Sequence, residues 1–174
     1  MTNPDVYARF EALEEEVAHC YFIFYEHFIR TPVLAKFWVE AALDELQHAS
    51  ILRFCREHNV FSIGNVGHPT ADRVDQLLDT VRDIVGRARL SVDEAFSAAL
   101  VIESSELDDA YQELTRPLAQ AHLLLYQAIQ TNLRLHHYNF AEAAAQFCND
   151  KAFSEAFRSL ARTQKRAFAE MGRQ

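Results

Sequence analysis

Apolar residues recur at steps of three and four along most of the chain, the period of a helix with one face turned to a core. Phe10, Leu13, Val17, Tyr21, Phe24 and Phe28 form the first such stripe and predict a helix from about Pro4 to Arg30. Thr31 and Pro32 supply a cap and a first-turn proline, so a second helix begins at once, runs back antiparallel and reaches about His58. Its stripe reads Leu34, Trp38, Ala41, Glu45, His48, Leu52 and Cys55, with Lys36, Glu40, Asp44 and Gln47 on the opposite face. Loop residues follow, then a weaker helical pattern through Val74, Leu78 and Val81 that stops near Gly86, so about 59–90 reads as a crossover. Ser91 and Glu94 have capping-box spacing and open a third long helix with Phe96, Ala99, Glu103, Leu107, Ala110 and Leu114 on its stripe. Pro117 starts a fourth, antiparallel to the third, carrying His122, Leu125, Ile129, Leu133, His136 and Phe140, and a final helix is expected over about 151–171. The expected architecture is one all-α domain over 1–174: a four-helix bundle of two antiparallel hairpins joined by a crossover, with an additional C-terminal helix.

Composition narrows the functions open to such a bundle. Apolar residues make up 49% of the chain, enough for a substantial core. The net charge of −8 argues against holding nucleic acid or an anionic membrane by bulk electrostatics. No stretch approaches the roughly 18 uninterrupted apolar residues of a membrane helix, and the start lacks a secretory pattern, so a cytoplasmic location is expected. Cys20, Cys55 and Cys148 are far apart and form no C-x-x-C pair, and read as buried small hydrophobes. Phe153, Phe157, Leu160 and Phe168 on the last helix need a surface to cover, which points to a homodimer.

The candidate chemistry lies where the apolar stripes are interrupted. A carboxylate in a core stripe is costly unless something neutralises it. Glu45 and His48 are three residues apart on one face and can reach one cation on the bundle axis. Glu14 stands about as far from the turn near Arg30 and Thr31 as Glu45 does, so the two share a level, although Glu15 and Glu16 beside it are also consistent with a solvated acidic face. Glu103 interrupts the third stripe and His136 the fourth, while His137 is expected to face outward. His19, His27, His58, His68 and His122 have no partner at metal spacing.

Glu14, Tyr21, Glu45, His48 and Ala49 together resemble the rubrerythrin family of ferritin-like proteins, in which a glutamate is followed seven residues later by tyrosine and a Glu-x-x-His-Ala run lies on the next helix. Both helices of the first hairpin share the resemblance. It implies a ferritin-like bundle with a di-iron centre, manganese or zinc being alternatives, and peroxide reduction or ferrous oxidation as its activity. Glu103 and Glu106 resemble the family's third-helix ligand and an alternative ligand found in some members, with the expected tyrosine one place late at Tyr111. On the fourth helix His136 fits, but Leu133 stands where a glutamate is implied, and counting from the hairpin points nearer to Ile129 or Asn132. The implied metal ligands are Glu14, Glu45, His48, Glu103, Glu106 and His136, with Tyr21 as a donor to a bridging carboxylate. The family's cysteine-ligated module has no counterpart, so an external electron donor is implied. Leu133 leaves open a non-catalytic bundle with a partial site, acting through a partner, and an oxygenase would require an apolar channel.

Overall fold

The first two stripes zip together. α1 (Pro4–His27) and α2 (Pro32–Glu57) have 24 and 26 residues and form an antiparallel hairpin about 36 to 39 Å long. Tyr7, Phe10, Val17, Tyr21 and Phe24 are buried against Leu34, Trp38, Ala42 and Leu52, and these two helices make the most extensive packing in the molecule. The chain is seen here as a computed structural model that describes residues 4–171, with side chains described through residue 162.

α3 (His68–Val85) crosses over, burying Ala71, Val74, Leu78 and Val81 against α1 and α4. α4 (Val92–Glu103) opens with the expected capping box: the Ser91 hydroxyl accepts from the Glu94 amide, and the Glu94 carboxylate accepts from the Ser91 amide at 2.9 Å. The third helix is broken where one continuous element was expected. The Ser104 hydroxyl bonds back to the Leu100 carbonyl at 2.6 Å, and the Ser105 hydroxyl accepts from the Leu107 amide at 3.1 Å. Two serines competing with the backbone thus end α4 at Glu103, and α5 (Leu107–Thr115) starts anew.

The fourth helix is also divided. α6 (Leu118–Ala121) stops at His122, whose φ of −146° and ψ of 64° are not helical, and α7 (Leu123–Phe147) follows. α8 (Ala152–Met171) folds back along α7 and touches α4. Phe157 is fully buried, stacked on Phe140 at 5.0 Å, and Phe153 and Leu160 pack on the same core. Phe157 is thus covered within the chain, while Phe153 and Leu160 are covered in part, and the side chain of Phe168 lies outside those described. Among the described residues helices are the regular secondary structure, with no strand, and no helix is long and apolar enough to cross a membrane.

Candidate metal centre

Four helices direct ionisable side chains into the middle of the core. Glu14 comes from α1, Glu45 and His48 from α2, Glu103 from the end of α4, and His136 and His137 from successive positions of α7; all six are buried. His48 Nδ1 lies 3.0 Å from Glu45 Oε2 and 3.7 Å from Glu14 Oε2. His136 Nε2 lies 3.1 Å from Glu45 Oε1 and 3.2 Å from Glu103 Oε1. Three triads with potential ligand atoms within 4.8 Å of one another result among the described residues: Glu14–Glu45–His48, Glu45–Glu103–His136 and, on the flank, Glu103–Asp108–His137. Glu45 belongs to the first two and offers one oxygen to each side.

The outward edges of the two imidazoles are tied into one hydrogen-bond chain. Asp44 can only accept, so the Asn132 amide must turn its nitrogen to it, at 3.1 Å, which leaves the Asn132 oxygen facing His48 Nε2 at 3.2 Å. His136 Nδ1 donates to the other Asp44 oxygen at 3.1 Å. Each ring thus places one N–H on this outer chain. His48 Nδ1 and His136 Nε2 are the nitrogens turned toward the carboxylates, where a neutral ring offers a lone pair. An outer-shell acceptor that fixes the tautomer of a metal-binding histidine is the usual support for such a ligand.

Electrostatics divides the acids. Burial pushes Glu14 well above the usual carboxylate range, which His48 only partly offsets, and among the described residues neither Glu14 oxygen makes a hydrogen bond of normal length. Burial also works against the charge on Glu45, but His48 and His136 hold it well below that range. Glu103 is likewise opposed by burial and held at about 2 by His136 and His137. Burial lowers His48 and His136, and the surrounding carboxylates outweigh it, raising both well above the ordinary histidine range. With protons alone available, the centre balances its acids by charging imidazoles and leaves Glu14 protonated. A divalent ion in each of the first two triads would perform the same neutralisation.

The surrounding groups position Glu103. The Tyr21 hydroxyl donates to Glu103 Oε1 at 2.5 Å, and His137 Nε2 lies between Glu103 Oε2, at 3.1 Å, and Asp108 Oδ2, at 2.9 Å. His137 was expected to face outward and is instead 1% exposed; its ring is pushed up to about 10, burial being outweighed by Asp108 and Glu103. Tyr111 lies over His48 with ring centroids 4.4 Å apart, its hydroxyl buried without a partner.

Of the six residues singled out as ligands, Glu14, Glu45, His48, Glu103 and His136 converge here and Glu106 does not. The break after Glu103 turns Glu106 to the surface, where it pairs with Arg73 at 2.9 and 2.5 Å. Leu133 is fully buried among apolar neighbours. Sequence periodicity missed Asp44, Asn132, His137 and Asp108. Asp44 precedes Glu45 by about 100° around α2, which periodicity assigns to the polar face, yet that flank of the helix meets α7. Hairpin counting pointed to Asn132, though as a ligand position rather than as a partner of one. Compared with known proteins, the chain matches no family model, no curated protein and no solved structure.

Proposed function

We propose that this protein binds two divalent metal ions, iron foremost, in the centre of a ferritin-like bundle and reacts there with peroxide or dioxygen. The observation that carries the reading is the Asp44–Asn132 chain, which occupies the outer nitrogens of His48 and His136 and leaves the inner ones facing Glu14, Glu45 and Glu103. Carboxylate oxygens with one imidazole per triad suit iron, manganese or zinc. α1, α2, the α4–α5 pair and α7 play the parts of the four bundle helices. The similarity of Glu14, Tyr21, Glu45 and His48 to the rubrerythrin pattern is independent support from sequence.

Bound iron would supply redox chemistry, taking electrons from an external donor and passing them to the oxidant. Glu14, Glu45 and His48 would hold one ion, and Glu45, Glu103 and His136 the other. Tyr21 and His137 hold Glu103 in place from opposite oxygens. Glu14, which burial favours in its protonated form, would release a proton as an ion loads and recover it as the ion leaves.

Leu133 favours a second reading, a bundle with an incomplete site that acts through a partner, because it puts an apolar side chain where the family resemblance implies a ligand. Anaerobic loading of chelator-stripped protein with ferrous ion, desalting and addition of hydrogen peroxide separates the two. The first reading predicts retained iron that is oxidised at one peroxide per two ferrous ions. Iron lost on desalting would reject it and leave the second.

A further inference from the structure

A cavity of about 240 Å³ opens between α2 and α7 on the outer side of His136. Its floor is made by the buried residues Ala41, His136, Phe140 and Ala143, and the half-buried rings of Phe37 and Phe147 form walls. The rim is polar. Neither peroxide nor dioxygen needs a recess with three phenylalanines. At about 30 Å³ per water the volume equals roughly eight waters, the size of an organic molecule of about ten non-hydrogen atoms.

The charges lining this recess select among such molecules. It carries three carboxylates, Glu40, Asp44 and Glu142, against the Lys36 ammonium and the His136 imidazole. Glu40 is paired with Lys36, and Glu142 lies 3.5 Å from Arg158. Among the described residues the basic partner of Asp44 is His136, and each Asp44 oxygen takes one hydrogen bond, from Asn132 and from His136, keeping lone-pair capacity for another donor. An organic anion entering here would meet excess negative charge. An ammonium group would meet an acceptor beside an aromatic wall, where cation–π attraction adds to the charge term.

We propose that the α2–α7 cavity is a binding site for a small primary amine, its aryl or alkyl body against Phe37, Phe140 and Phe147 and its ammonium group on Asp44. The inference goes beyond the metal reading and does not depend on it, because no wall of the cavity needs an ion in place. If both hold, an amine on Asp44 touches the acceptor that orients His136, so its binding is coupled to metal affinity.

Trp38, the chain's single tryptophan, reports on the site, since it packs on Phe37 at 4.9 Å and on Phe140 at 6.1 Å. The test titrates chelator-stripped protein at pH 7 with 2-phenylethylamine, 2-phenylethanol and phenylacetate, following Trp38 fluorescence. The amine should saturate at least about tenfold tighter than the alcohol, and the carboxylate should not bind. Asp44→Asn should bring the amine to the level of the alcohol, and Ala143→Leu should weaken both while circular dichroism shows the helices intact. Equal affinity for all three compounds, no saturable response in the wild type, or amine binding unaffected by both substitutions would overturn the proposal. So would the absence of amine binding together with slower ferrous loading in Asp44→Asn, which would make the cavity a route for the ion.

Discussion

Two carboxylate-rich regions of this protein are built on opposite terms. Between α1 and α3, Arg82 reaches Glu16, Asp75 and Asp79 and Arg9 reaches Asp75, and between α2 and α1 Arg53 spans Glu11 and Glu15. Every one of these acids faces a guanidinium that keeps its charge at any working pH. In the centre, Glu14, Glu45 and Glu103 meet imidazoles, a phenol and one another. The first region is neutralised by covalently fixed cations whose guanidinium groups reach solvent, and apart from the buried Glu11 its pairs are partly or fully exposed, so each adds little and is screened by salt. The second is neutralised only by protons that can leave. A buried acidic centre equipped with exchangeable counter-charge is suited to an ion that comes and goes.

That contrast is broken or sharpened by substitution. Glu45→Gln removes the charge that faces both His48 and His136 and should have the largest effect, abolishing retention of both ions on desalting while the helical signal persists; retention of even one ion would show that the triads are independent. Asn132→Leu leaves every ligand in place and disconnects His48 Nε2 from Asp44. It should weaken metal affinity by about 10- to 100-fold, as loss of an outer-shell partner does, and unchanged affinity would mean the tautomer is fixed by other means. Glu106→Gln should leave metal content unchanged, because its partner is the surface Arg73; a lost ion would return Glu106 to the ligand set. The smallest effect concerns burial without counter-charge. Burial pushes the thiols of Cys20, Cys55 and Cys148 up to about 11, 12 and 12. These values are raised over the unfolded one, so their stabilising contribution is whole below about pH 8.5 and lost as pH rises through 11 to 12. Folded protein at pH 8 should resist thiol reagents and lose melting temperature only in strong alkali, and rapid labelling at pH 8 would contradict the burial.

The helical pattern and the inward acids were legible in sequence because both follow the helix period. Glu45 and His48 could be placed together from their spacing, and Glu14 opposite them from the length of the hairpin. The breaks at Ser104–Ser105 and His122 were hidden, since apolar periodicity continues across them and only local hydrogen bonding or backbone angles mark them. The first break cost the placement of Glu106, which the spacing of a continuous helix would keep beside Glu103. Asp44, Asn132 and His137 escaped for another reason. They sit at the edges of stripes, where burial depends on how two helices meet rather than on the period of either.

If Glu14, Glu45, His48, Glu103 and His136 hold two ions, metal stoichiometry shows it. Protein stripped with chelator and dialysed against micromolar ferrous or manganous ion at pH 7 under anaerobic conditions should retain two ions per chain, with Glu45→Gln retaining none. A wild-type protein that retains no ion, or whose retained ions are indifferent to Glu45→Gln, would show that Glu14, Glu45 and Glu103 are balanced by protons alone.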